Sequence, residues 1–459
     1  MLSDTGDAPV PLALWSWRRP PLQVLAYTLV AAATLLLAAL ALVGLRYLTR
    51  GTPVAKVSGV HGSRDLPRTD DELFARTVEL LTHSDLQFGN EAALCLNGDG
   101  TYNRLFRDLQ GARETITLQL YYCHPGKVAD RFREVLRERA QAGVRVLFLL
   151  DAFGAAPLEE EYLESLRSAG VEIAKFRPVR WYALEKAYAR SHIRVVVVDG
   201  RIAYTGGFGM DDKWLGDGRH EDQWRETNVR FTGPAVLQLQ ATFATGWAEA
   251  TGELLAGETL FPPTRAYEED GQENGQSMRA AVIHAAPTIG STAAERLLAL
   301  SITSARRSLY ITNSYFVPDD DFVRLLGETA ERGVDVRILT AGRLNDVKST
   351  WYAGRAQYER LLARGVRIFW YQPSMIHAKS FVADGCWSSV GTMNFDNRSL
   401  AFNDESNLLV LDERFGDALQ EVFLDDLTRS KEVTLEEFRR RPRHEKALEW
   451  GASRLARVL

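Results

Sequence analysis

Residues 375–396 read Met-Ile-His-Ala-Lys-Ser-Phe-Val-Ala-Asp-Gly-Cys-Trp-Ser-Ser-Val-Gly-Thr-Met-Asn-Phe-Asp. Within them His377, Lys379 and Asp384 form a His-x-Lys-x4-Asp pattern. An imidazole two residues from an ammonium makes chemical sense around an anion. The cation neutralises charge, and the imidazole attacks as a nucleophile or carries a proton. Apolar residues alternate through Phe381 and Ala383, which predicts a strand with His377, Lys379 and Phe381 on one face. The turn Gly391-Thr392-Met393-Asn394 offers a hydroxyl, an amide and backbone N–H groups to the same anion. One such pattern alone would carry little weight. A second copy changes that: His192, Arg194 and Asp199 repeat the spacing, and Gly206 follows its histidine at the same interval as Gly391.

The surroundings repeat as well. Ala112-Arg113-Glu114-Thr115-Ile116 answers to Ala305-Arg306-Arg307-Ser308-Leu309, and Ala142-Gly143-Val144 to Arg332-Gly333-Val334. Counterparts lie 185–193 residues apart, which predicts duplication of a whole domain. On these residues, together with Trp224-Arg225-Glu226-Thr227 and Asn403-Asp404-Glu405, the chain resembles the phospholipase D superfamily, and within it the bacterial cardiolipin synthase branch.

The resemblance implies an α/β chain with two pseudo-symmetric phospholipase D-like α/β/α sandwich domains sharing one interfacial site. It implies two-step phosphoryl transfer with no cofactor and no metal, because Arg and Lys supply the positive charge. One histidine attacks phosphorus and becomes a phosphohistidine; the other protonates the leaving alcohol and then deprotonates the acceptor. By analogy His192 is the nucleophile and His377 the acid and base, an order the residues themselves do not fix. Arg194, Lys379, Thr392 and Asn394 would hold the non-bridging oxygens. Asp199, Asp384, Glu226 and Glu405 would orient the imidazoles or balance the cations. There are two departures. Arg194 stands where the family has Lys, and Gly207 and Gly209 stand where the second half has Thr392 and Asn394. The glycines leave backbone N–H groups for phosphate, or room for a larger headgroup.

Two motifs can meet over one phosphate only on a rigid frame. Strands are predicted at 115–121, 144–150, 171–176, 309–314, 334–340 and 366–371, and helices at 71–82, 128–141, 158–168, 292–304, 320–332 and 412–428. Their alternation is the rhythm of an α/β layer fold. A helix over 435–448 should split at Pro442. Trp181, Tyr182 and Tyr188 read as a loop or short helix at the cleft rim as readily as ordinary packing. The predicted divisions are an N-terminal tail and transmembrane helix (1–50), a tether (51–85), a first domain (86–255), a linker (256–277) and a second domain with C-terminal helices (278–459).

Of 459 residues, 55 are Lys or Arg and 60 are Asp or Glu. This balance argues against a nucleic-acid partner, which would call for a basic excess or stripe. Cys95, Cys123 and Cys386 have no metal-ligand spacing and read as reduced packing residues. Residues 24–45 are almost uncharged, and as a helix they span about 33 Å, enough for a hydrocarbon core. Trp15, Trp17 and Tyr47 suit the two interfaces. Arg46, Arg50, Lys56 and Arg64 after the run, against Arg18 and Arg19 before it, predict a single pass through a bacterial inner membrane with the catalytic domains in the cytoplasm. The expected partners are therefore the bilayer and its phospholipids, phosphatidylglycerol or similar. A hydroxyl on a second lipid would then outcompete water, favouring a synthase over its rivals: a phospholipid hydrolase, a nuclease or a degenerate scaffold. Arg439, Arg440, Arg441 and Arg443 fit a solvated helix face better than a headgroup site.

Overall fold

The computed structural model describes residues 22–48, 52–59, 66–178, 189–263, 277–288 and 290–456. The chain divides into two compact units, Met1–Arg50 and Gly51–Leu459. In the first, Leu22–Leu48 is one α-helix. Its described apolar side chains, among them Leu29, Leu35, Leu37 and Leu40, are exposed. Among the described residues no helix is long and apolar enough to cross a membrane. Side chains are described without a break only over 26–42 of this helix.

The second unit contains, in chain order, β1 (Gln87–Leu96), β2 (Thr115–Leu120), β3 (Arg145–Asp151), β4 (Glu172–Phe176), β5 (Val195–Val198), β6 (Ile202–Gly206), β7 (Trp224–Arg225), β8 (Thr227–Thr232), β9 (Met278–Ala285), β10 (Ser308–Asn313), β11 (Asp335–Ala341), β12 (Arg367–Tyr371), β13 (Met375–Ile376), β14 (Lys379–Ala383), β15 (Trp387–Gly391), β16 (Glu405–Leu411) and β17 (Ser430–Val433). All but β7 and β13 join one sheet, ordered β17-β12-β11-β10-β14-β15-β16-β9-β1-β8-β6-β5-β2-β3-β4. Read outward from the antiparallel β9–β1 seam, both sides follow one plan. Three antiparallel strands come first (β16, β15, β14 and β8, β6, β5), then three mutually parallel ones (β10, β11, β12 and β2, β3, β4).

Helices cover both faces, so the inner parallel strands β2 and β3 are buried almost throughout instead of alternating. On the β1 side, Lys127–Gln141 lays Phe132 and Leu136 against Leu118 and Phe148. Ala235–Thr251 covers the opposite face with Leu239 and Phe243. On the β9 side, Ala293–Ser304 and Asp320–Glu331 fill one face. Glu413–Leu427 fills the other, and its Phe415, Leu419 and Phe423 share a core with Leu239 and Phe243. Local signals set the boundaries. Thr292 and Glu295 form a capping box, Asp412 caps the Phe415 N–H, and the C-terminal helix breaks at Pro442 into Leu435–Arg439 and Arg443–Ser453. The three cysteines are buried and free.

The expected tether is instead a strap. The Thr52 N–H donates to Asp319 (2.6 Å) and the Thr69 hydroxyl to Asp384 (2.7 Å). The helix Glu72–Thr82, capped by Asp71, puts Phe74, Ala75 and Val78 into the core of the β9 side. There Phe74 meets Trp387 edge-on at 5.2 Å. A sequence preceding one half is thus packed on the other. The expected strand through His377 also changes: β14 begins at Lys379, because the chain first leaves the main sheet to pair β13 with β7. Arg439 and Arg440 pair with Glu359 and Glu436 in the open, as the solvated-face reading requires, whereas Arg441 is largely buried against Glu449. Residues 181–188 at the expected cleft rim, and most of the expected linker (264–276), lie outside the described residues.

Candidate active site

Each histidine sits just ahead of a sheet strand, in a segment that crosses to the other half. His192 precedes β5, and its N–H donates to the Asp404 carbonyl (2.9 Å). His377 precedes β14, and its N–H donates to the Arg225 carbonyl (2.7 Å). The residues following those carbonyls are Glu405 and Glu226, and their carboxylates take the rings. His192 Nδ1 lies 3.0 Å from both Glu405 oxygens, and His377 Nδ1 lies 2.7 Å from Glu226 Oε2. Backbone and side chain of each histidine are therefore held by one dipeptide of the opposite half. With Nδ1–H donating to a carboxylate, the lone pair falls on Nε2, the nitrogen left for a ligand.

The glutamates are fixed in turn. Glu405 accepts from the Thr392 and Ser399 hydroxyls, and Glu226 from Trp214 Nε1 (3.3 Å) and the Thr227 N–H (3.0 Å). Both imidazoles line one cavity of about 270 Å³, with Arg194, Asn394, Asp396 and Arg398 as polar neighbours and Tyr121, Trp214, Trp224 and Tyr315 as aromatic walls. Two cations take matching poses beside the histidines. Arg194 Nη1 donates to the His192 carbonyl (2.6 Å), and Lys379 Nζ donates to the His377 carbonyl and to Ser314 Oγ (2.8 Å). Arginine thus takes the place of lysine in the first motif without losing the contact.

Burial, and then the charges of Arg194 and Lys379, hold the His192 imidazole well below its usual range. Burial and then Lys379 and Arg194 do the same to His377, opposed by a hydrogen bond to the Gly207 backbone. Burial also pulls the Lys379 ammonium down to about 7 and pushes the Asp396 carboxyl up to about 6. Glu226 and Glu405 are shifted upward by the same loss of water. Burial and the two cations thus set the proton affinities of the site. A phosphodiester entering it would add negative charge and raise the proton affinity of both imidazoles.

Four expected roles read differently in the geometry. Asp199 and Asp384 turn away from the imidazoles. Each sits in the left-handed region (φ 52° and 55°) at a hairpin turn before glycine. Asp199 accepts the N–H groups of Arg113, Glu114 and Thr115; Asp384 accepts those of Arg306, Arg307 and Ser308. They staple each hairpin to the strand beside it. The Thr392 hydroxyl is spent on Glu405 and on the Ser406 N–H, so it positions a carboxylate. Nor do the glycines of the first motif leave space. A Cβ on Gly207 would lie 2.3 Å from Glu226 Oε2, and one on Gly209 would lie 2.6 Å from the Trp214 ring. Asn394 lines the cavity as expected. Sequence reasoning passed over Tyr121, Tyr315, Trp214 and Arg398. Single aromatic and basic residues have no spacing signal of their own.

This architecture has a solved counterpart in phosphatidylserine synthase from Haemophilus influenzae, with a TM-score of 0.63 over 84% of this chain and 100% of that one, at 14% identity. That likeness defines the fold. A family model described as "Cardiolipin synthase, PLD-like domain" matches residues 105–247 and 298–427. The cardiolipin synthase of Geobacillus kaustophilus is 35% identical over 362 residues, 78% of this chain and 70% of that protein. Cardiolipin synthase 2 of Bacillus cereus is 33% identical over 380 residues, 82% of this chain and 72% of that protein. The chain belongs to the cardiolipin synthase family of phospholipase D-like proteins.

Proposed function

We propose that the chain joins two phospholipids by phosphatidyl transfer through a phosphohistidine. It is an enzyme of the phospholipid phosphatidyltransferase type. The observation carrying the finer reading is that both imidazoles line one cavity, each held by a glutamate of the opposite half. His192 Nε2 attacks the phosphorus of phosphatidylglycerol, the P–O bond to glycerol breaks, and His377 gives the alcohol its proton. A hydroxyl of a second phosphatidylglycerol then returns a proton to His377 and displaces the histidine, forming cardiolipin. Arg194 and Lys379 stabilise the charge on the non-bridging oxygens. Which histidine attacks rests on resemblance to the family. Domains at 86–255 and 278–459 fit the two-sided sheet. The apolar run 24–45, helical within Leu22–Leu48 and exposing its described apolar side chains, supports a single-pass anchor in a bacterial inner membrane. The basic residues following it support a cytoplasmic second unit.

Purified protein in phosphatidylglycerol micelles should yield cardiolipin and one glycerol per turnover. His192→Ala and His377→Ala should each fall by about 1,000-fold or more. Phosphatidic acid without cardiolipin would make it a hydrolase. Cleavage of single-stranded DNA alone would remove the lipid reading.

A further inference from the structure

Lys213 lies in the short 3-10 turn Asp212–Trp214, beside the cavity. Its ammonium is 3.5 Å from the Tyr122 ring centroid, 3.9 Å from that of Trp224 and 5.0 Å from that of Trp214. No carboxylate within ion-pair distance of it is recorded among the described residues. Three ring faces surround it, with the fields of Asp211 and Asp346 adding to their pull on its charge, and such a box is the arrangement that receives alkylammonium ligands elsewhere in proteins. All three rings also line the catalytic cavity. Two of them flank His377, with centroids 4.6 Å (Trp224) and 5.5 Å (Trp214) from its ring. The first motif builds this box. Gly209 stands where the second motif has Asn394, and the Trp214 ring occupies the space that a Cβ there would need.

We propose that Lys213 determines headgroup selectivity. It fills, with a cation of the chain itself, an aromatic box that would otherwise take a quaternary ammonium, so choline-type headgroups are refused and hydroxyl-bearing ones admitted. The inference rests on the reading that His377 serves the alcohol side of the reaction. An internal cation of this kind acts as a built-in competitor and as a like charge against the rejected ligand. The Lys213 proton is present at neutral pH, since burial lowers its affinity only to about 8.

Two readouts test it. The first is binding of choline chloride, followed by tryptophan fluorescence and calorimetry. The second is release of choline against glycerol from phosphatidylcholine and phosphatidylglycerol vesicles. Lys213→Ala should bind choline saturably, at least about tenfold tighter than wild type or Lys213→Arg, and should lose that gain when Trp224→Ala is added. Its choline-to-glycerol release ratio should rise by at least about tenfold. Lys213→Ser serves in its place should the alanine variant melt early. Equal choline binding by wild type and Lys213→Ala would overturn the proposal. So would a folded variant with no gained binding. If wild type turns over neither lipid, the lipid reading fails, and the binding arm still decides whether the box is an ammonium site.

Discussion

The two motifs differ at single atoms, and those differences carry consequences. Glycine at 207 is required because Glu226 holds the place of a Cβ. Gly207→Ala should therefore push that carboxylate off His377 Nδ1 and cost about 100-fold in kcat, the usual effect of an ångström of misplacement, while far-ultraviolet dichroism stays unchanged. An unaltered kcat would mean that the Glu226–His377 bond does not matter. Lys379 gives a second test. In the free enzyme its ammonium titrates at about 7, so kcat/KM should fall as pH rises through that value and the cation is lost. The acid limb should lie below the usual histidine value, because the attacking His192 imidazole resists protonation. Lys379→Arg keeps a charge that does not titrate there, and Arg194 shows that the fold accommodates a guanidinium in the matching pose. Its alkaline limb should move up by about one unit or more with the acid limb fixed. A limb that stays in place would assign it to another group.

At the scale of elements, the aspartates of the two patterns belong to hairpins. Asp384→Ala removes the acceptor of three backbone N–H groups and of the Thr69 hydroxyl. It should cost about 3 kcal/mol of stability in urea unfolding yet leave kcat nearly intact below the melting range. Loss of turnover without loss of stability would restore Asp384 to the chemistry. Sequence spacing singled out Asp384, but its hydrogen bonds tie it to a hairpin, because a pattern gives residue types and intervals and not what each side chain touches. The same limit explains the other differences. The parallel strands and their helices were legible, since apolar runs and caps are local signals. The crossing of Glu226 and Glu405 between halves was not, because nothing local says that β7 meets β13 or that Ser191 bridges Asp404. The strap was missed for a similar reason: the helix Glu72–Thr82 was expected, but its destination depends on a core formed more than 200 residues later.

At the scale of the molecule, the compact division at residue 50 separates the apolar helix from the catalytic unit. Deletion of 1–50 should move the protein from the membrane pellet to the supernatant without lowering its melting temperature. Continued sedimentation with membranes would place the attachment elsewhere. Within the catalytic unit, the strap has a consequence for synthesis on the ribosome. Phe74, Ala75 and Val78 leave the exit tunnel long before the helix Ala293–Ser304 against which they are buried. At typical elongation speeds of about 5–20 residues per second, that wait lasts on the order of ten seconds or more. During it the nascent chain carries a sticky apolar helix beside a half-built sheet whose β1 edge is still open. Protection by a chaperone is needed most in that interval, before β9 arrives and zips the seam shut.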